Sequence, residues 1–133
     1  MVCFDTDIIV NFLRNEPKAV RIINKLIESE EQISTTTINS FELWKGAYRS
    51  KKENAKEVVE TFLNNIGLLP LDKESSKKAG EIFELLASKG ETVDALDVMI
   101  SSIALSNNEE ILTLNKKHFE RIPNLKIFKL NLD

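Results

Sequence analysis

The sequence predicts an α/β protein, a three-layer α/β/α sandwich on a short, mostly parallel central sheet of about five strands. Three observations carry this. Short apolar or β-branched runs alternate with amphipathic stretches of roughly ten residues or more, as in strand–helix–strand units around a parallel sheet. The first run, Val2-Cys3-Phe4, is continuously apolar, as a strand covered on both faces tends to be. Residues 95–106 are apolar almost all round, which suits a helix buried on most sides.

The length of 133 residues suits one domain over 1–133. A net charge of −3 argues against a protein that grips nucleic acid mainly by bulk electrostatics, though it leaves room for a local basic patch. The single cysteine, Cys3, lies within the first strand and reads as a small core residue; alone it forms no internal disulfide, which fits a reducing compartment. The N-terminus lacks the basic-then-apolar pattern of a signal peptide. No stretch approaches the roughly 20 apolar residues of a membrane helix. The expectation is a cytoplasmic protein.

Taken in order, Val2–Phe4 is a buried strand that runs into Asp5-Thr6-Asp7. A helix follows at once, with Ile8, Ile9, Phe12 and Leu13 at helical spacing. Asn15-Glu16-Pro17 reads as a stop and a new start, with Pro17 suited to a first turn. Val20, Ile22, Ile23, Leu26 and Ile27 give the second helix its core face. Residues 32–38 are β-branched and predict the second strand. The next helix starts near Asn39, with Phe41, Trp44, Ala47 and Tyr48 on one face and a basic far end of Lys45, Arg49, Lys51 and Lys52. A helix over 53–66 turns Val58, Val59, Phe62, Leu63 and Ile66 inward.

Residues 67–71 predict a short strand whose Pro70 places it at an edge. Asp72 caps the following helix, Ala79, Ile82, Phe83, Leu85 and Leu86 face its core, and Gly90 stops it. After the buried helix come a fourth strand over 110–114 ending on Asn115, a helical turn from Lys116 to Phe119, and a last strand from Lys126 to Leu130.

Four polar positions fall at matching places. Asp5 ends the first strand, Asn115 ends the fourth, and Glu42 and Asp97 open the helices after strand two and before strand four. In an open α/β sheet the carboxyl ends of the strands form the ligand crevice. If strands one and four are neighbours, all four positions meet at one edge. Each also has a plain structural reading. Asp5 or Asp7 caps the first helix; Glu42 after Asn39 and Asp97 after Asp94 have the spacing of capping boxes. Asp97 resists that reading best, because a carboxylate within an apolar helix is costly unless paired or bound to a cation.

Phe4-Asp5-Thr6-Asp7, Thr37-Ile38-Asn39-Ser40-Phe41-Glu42-Leu43, Asp94-Ala95-Leu96-Asp97-Val98-Met99-Ile100 and Leu112-Thr113-Leu114-Asn115-Lys116-Lys117-His118-Phe119 together resemble the PIN domain. Within that superfamily the chain looks like VapC-type toxin ribonucleases of prokaryotic toxin–antitoxin pairs, over nearly its whole length. The resemblance implies that Asp5, Glu42 and Asp97 hold Mg2+ or Mn2+. Asn115 stands at a fourth site position that is often Asp, and Thr6 and Thr113 at small hydroxyl positions beside the site, with Asp94 nearby. It further implies a homodimer held by a small VapB-like antitoxin. Two departures stand out. Asn115 supplies no negative charge, and Ile100-Ser101-Ser102 replaces the usual isoleucine and small-alanine run.

The chemistry suits the residues independently. Magnesium takes hard oxygen ligands and keeps several waters, so a few carboxylates suffice when a substrate phosphate completes the shell. No Cys/His spacing fits zinc. His118, the single histidine, reads as a surface residue or weak phosphate contact. Lys45, Arg49, Lys51, Lys52, Lys116, Lys117 and Arg121 are solvated charges, some of which can guide RNA phosphates. The expected function is a metal-dependent endoribonuclease. One alternative is a haloacid-dehalogenase-like phosphatase with Asp5 as nucleophile, which needs a later lysine and an acidic pair where Asn115 stands. The other is a catalytically inactive module that binds RNA or protein.

Overall fold

The structure, a computed structural model, describes residues 1–129. Its elements are β1 (Val2–Phe4), α1 (Thr6–Leu13), α2 (Pro17–Glu28), β2 (Ile33–Thr36), α3 (Thr37–Arg49) and α4 (Ala55–Asn64). Then come β3 (Gly67–Leu69), α5 (Lys73–Ser88), α6 (Ala95–Ser106), β4 (Glu110–Leu112) and a 3₁₀ turn over Lys116–His118. The sheet order is β3-β2-β1-β4, and every pairing is parallel. Four strands pair as named elements. Ile127 adds a single parallel bridge to Ile111 where the fifth was expected, and Leu130, the expected end of that strand, lies outside the described residues.

The chain first steps outward from β1 through β2 to β3, then crosses back through α5 and α6 to place β4 on the other side of β1. The carboxyl ends of β1 and β4 therefore flank the point where the winding reverses, the usual crevice of such sheets. Both faces of β1 are covered. Val2, Phe4 and Leu112 pack with α1, α2, α3 and α4 in one core. Ile111 packs on the other side with Ile100 and Ala104 of α6 and with Phe119, and α5 closes over α6 through Ala79, Ile82 and Leu86. Cys3 is wholly buried, and burial pushes its thiol up to about 12, so it is an inert core residue.

The caps explain the boundaries. Glu16 caps α2 ahead of Pro17, Asp72 forms a capping box with Ser75 ahead of α5, and Gly90 takes φ +75 after α5. At β2 the structure corrects the sequence reading. The strand ends at Thr36, not at residue 38, because Thr36 caps α3: its hydroxyl accepts from Asn39 N at 3.1 Å, and Asn39 returns the bond in a capping box. Starting the helix at Thr37 turns Asn39, Leu43 and Ala47 inward, one face at i, i+4, i+8. Phe41 and Tyr48, expected in the core, stand 55% and 69% exposed. Ile27, Phe83 and Leu85 are likewise exposed, the periodic stripe of each helix being wider than the face its neighbours cover.

Thr36→Ala removes the hydroxyl that starts α3 and is expected to lower stability by about 1 kcal/mol in urea unfolding, with Thr36→Ser recovering most of it. A midpoint unmoved by the alanine would place the true start of α3 elsewhere.

Candidate active site

Asp5 is the centre of the cleft at the carboxyl ends of β1 and β4. Its backbone N–H donates to Leu112 O at 2.9 Å, extending the sheet by one residue, and its side chain then caps α1. The carboxylate is 9% exposed and accepts three bonds from three elements. Oδ1 takes Thr6 N at 2.9 Å and Asn39 Nδ2 of α3 at 3.2 Å; Oδ2 takes the Thr113 hydroxyl after β4 at 2.8 Å. Asp5, not Asp7, is the cap. Asp7 turns instead to the β4 end, where Leu114 N donates to it at 3.1 Å and the Thr113 hydroxyl lies 3.2 Å away.

A directed chain of donors sets Glu42. The Thr36 hydroxyl donates to Asn39 Oδ1 at 2.7 Å, Asn39 Nδ2 donates to Thr6 Oγ1 at 2.9 Å, and the Thr6 hydroxyl donates to Glu42 Oε1 at 2.7 Å. Asn39 is 0% exposed, so its amide has no water to fall back on. The capping box of α3 pairs Thr36 with Asn39, so Glu42 is not part of it, and the capping-box reading of Glu42 falls away. On α6, Asp94 is the cap and accepts from Leu96 N at 2.8 Å. Asp97 faces His118 Nδ1 at 3.3 Å from its Oδ2.

Asp5, Thr6, Asp7, Glu42, Asp94, Asp97, Asn115 and His118 line one open cleft of about 410 Å³. The fold thus brings Asp5, Glu42, Asp97 and Asn115 to one place. Thr113, directly after β4, and not Asn115, is the residue against Asp5: Asn115 N donates to Thr113 Oγ1 at 3.0 Å, and Asn115 itself is exposed at the cleft wall. Asn39, bonded to Asp5, and Asp7, in the cleft wall, are the positions that spacing alone underrated. Asn39 carries the signal of a helix start, and only its burial against Asp5 reveals the second task. His118 is exposed as expected, yet it pairs with Asp97.

The acids raise one another's proton affinity. Burial first, then Asp7, pushes Asp5 up to about 6 against the lowering by its hydrogen bonds. Asp97 is also pushed up to about 6, by burial and then by Asp94, with His118 pulling the other way. Among the described residues no three acids close into a ready metal cage. The donor set is nonetheless hard oxygen in an open, electronegative cleft, which fits a magnesium-like ion that keeps its waters and leaves room for phosphate. A separate apolar groove of about 1000 Å³, lined by Phe12, Leu13, Ile23, Val58 and Phe62 among others, lies on the other flank of α1. Among the described residues no helix is long and apolar enough to cross a membrane.

A family model for the PIN domain matches residues 2–125. The chain is 34% identical over 124 residues to the tRNA(fMet)-specific endonuclease VapC of Salmonella typhimurium, covering 92% of each chain. It is 27% identical over 126 residues to ribonuclease VapC19 of Mycobacterium tuberculosis, covering 95% of this chain and 98% of that one. Among solved structures it resembles Rickettsia felis VapBC2 bound to a fragment of its promoter DNA, with a TM-score of 0.87, 27% identity, and coverage of 98% of this chain and 100% of that chain. It also resembles the DNA-bound VapBC of Salmonella typhimurium, with a TM-score of 0.86, 30% identity and 96% coverage of both chains.

The raised carboxyls set a pH dependence. A carboxyl whose folded value is about 6, against 3.8 as the ordinary value, binds its proton more tightly in the folded state. Stability is therefore lost as pH rises from about 4 through about 6. In chelator, Asp97→Asn is expected to raise the melting temperature above pH ~6 and to match the parent below pH ~4. Asp5→Asn gains less, since it disturbs three hydrogen bonds. A lower melting temperature for Asp97→Asn at neutral pH would mark Asp97 as a structural helix-start residue.

Proposed function

The chain belongs to the PIN domain family, and from that premise we propose that it is a metal-dependent endoribonuclease, the toxin half of a toxin–antitoxin pair. The observation that carries the reading is the convergence of Asp5, Glu42 and Asp97 on one cleft, each oriented by a neighbour from another element. These three carboxylates are the residues we assign to Mg2+ or Mn2+, with Asn115 as a neutral fourth member and Thr6, Thr113 and Asp94 in support. A bound divalent ion supplies Lewis acidity toward a phosphoryl oxygen and a water readied for attack.

The chain's own residues do the rest. Asp5 is fixed by Thr6 N, Asn39 and Thr113, so it meets its ligand without rearranging. Glu42 is held by the Thr6 hydroxyl through one oxygen. Asn115 offers an amide to a water or a phosphate oxygen without adding charge. His118, beside Asp97, offers an N–H to the same phosphate region. The phosphatase alternative lacks its second acid at the end of β4, where Thr113 and Asn115 stand.

The partner we assign is a small VapB-like antitoxin, and the state a homodimer in the cytoplasm, where RNA is at hand. The apolar groove beside α1 suits an antitoxin's apolar segment. Val10 and Asn11 of α1 border the cleft while Phe12 and Leu13 border the groove, so a chain lying in the groove reaches the acids by crossing one helix.

Asp5→Asn, Glu42→Gln and Asp97→Asn are each expected to abolish RNA cleavage while circular dichroism stays native. Asn39→Ala, acting through Asp5 and Thr6, should cost about 10- to 100-fold. Asn115→Ala should cost less than Asp97→Asn, and Asn115→Asp should keep activity. Magnesium or manganese should raise the melting temperature of the parent saturably, and much less that of Asp97→Asn. Cleavage at the parent rate by Asp97→Asn, or no thermal response to either ion, would overturn the assignment, the latter in favour of an inactive binding module.

A further inference from the structure

We propose that the outward face of α3, from Phe41 to Tyr48, is a stacking surface for bases of single-stranded RNA that leads the substrate to the acidic cleft. This rests on the ribonuclease reading and deepens it by naming how the RNA is held. Phe41 and Tyr48 are two turns apart on one stripe, about 10 Å along the helix. They are 55% and 69% exposed, while the opposite side of the helix is occupied by Asn39, Leu43 and Ala47 in the core. Folding therefore makes little use of these two rings.

Each ring carries a cation. Lys45 Nζ lies 5.7 Å from the Phe41 centroid, and Lys56 Nζ, from α4, lies 4.5 Å from the Tyr48 centroid. Trp44 stands between them, its ring 6.3 Å from that of Tyr48 and tilted by 45°. Exposed π-faces with ammonium groups beside them are the two elements that single-stranded nucleic acid binding combines, stacking for bases and positive charge for phosphates. An exposed cation–π contact is weak enough to give way, so each ammonium can swing to a phosphate as a base takes its place over the ring.

The charges also select among occupants. A second copy seated here by a two-fold axis would bring Lys45 and Lys56 of both copies together, and a protein helix on the rings would desolvate two ammonium groups. A polyanion meets neither cost. The stripe starts beside the chemistry, since Phe41 immediately precedes Glu42, whose carboxylate lines the cleft. Duplex RNA keeps its bases stacked inside, so the surface selects loops and single strands.

The test measures binding of a fluorescein-labelled, mixed-sequence, single-stranded oligoribonucleotide to the full chain carrying Asp97→Asn. Adding Phe41→Ala or Tyr48→Ala is expected to weaken binding about tenfold, with Phe41→Tyr and Tyr48→Phe preserving it. Lys45→Gln and Lys56→Gln should each reduce the slope of log affinity against log salt by about 0.7. Trp44, the single tryptophan, should change its emission on RNA addition, and that change should vanish with Tyr48→Ala. In the cleaving chain the loss should fall in KM rather than kcat. Alanine variants that bind and cleave like their parents would overturn the proposal, as would a loss that tracks dissociation of a dimer in sedimentation and so assigns the face to a second copy. A parent chain that neither binds nor cleaves any RNA would instead sink the ribonuclease reading. Cleavage by the parent with unaltered Tyr48→Ala would sink the stacking surface alone.

Discussion

A buried carboxylate must be satisfied from every side, and Asp5 imposes that demand on the whole cleft. It sits where β1 ends, bound to β4 through its own N–H, to the residue after β4 through the Thr113 hydroxyl, to α1 through Thr6 N and to α3 through Asn39. These partners come from segments far apart in the chain. The crossover that returns β4 to the side of β1 is what makes the set available, for a sheet that simply continued outward past β3 would leave Thr113 several strands away. The topology and the chemistry of the cleft are in this sense one constraint.

The same arrangement is electrostatically costly. Asp7 and Asp94 stand near Asp5 and Asp97, and both central acids hold protons more tightly than exposed carboxyls do. Donors offset part of this: three bonds to Asp5, one to Glu42, and His118 beside Asp97. A structure selected for stability alone would spread these charges. Their concentration at the winding reversal of a parallel sheet puts perturbed carboxyls together in a cleft, which is a general mark of function.

Helix α3 shows how one element serves three ends. Its first turn closes a capping box with Thr36 at the end of β2 and aims the Asn39 amide at Asp5, its next residues carry Glu42 to the cleft, and its inner face supplies Leu43 and Ala47 to the core. The remaining face is free of packing duties, and the residues there are aromatic and basic rather than neutral and polar. Three helical faces, each offset by the 3.6-residue period, are thereby tied to a single starting residue, Thr36.

The alternation of short apolar runs with amphipathic stretches determined the α/β class, and local punctuation determined most boundaries. Pro17, Asp72 and Gly90 act through their own backbone geometry or a partner three residues away, so no distant contact is needed to read them. The placement of Asp5 at the end of β1, Glu42 in α3, Asp97 in α6 and Asn115 beyond β4 was legible for the same reason. Periodicity could not say which face of α3 is buried, because aromatics at helical spacing look alike whether or not another element covers them, and the start of the helix two residues earlier turned Phe41 and Tyr48 outward. Nor could spacing say which residues form the caps near Glu42 and Asp97; the folded backbone gives those tasks to Thr36 with Asn39 and to Asp94, and Glu42 instead accepts a bond from Thr6, 36 residues away. Thr113 rather than Asn115 lies against Asp5 because strand register is a property of two paired strands, and neither strand contains it alone.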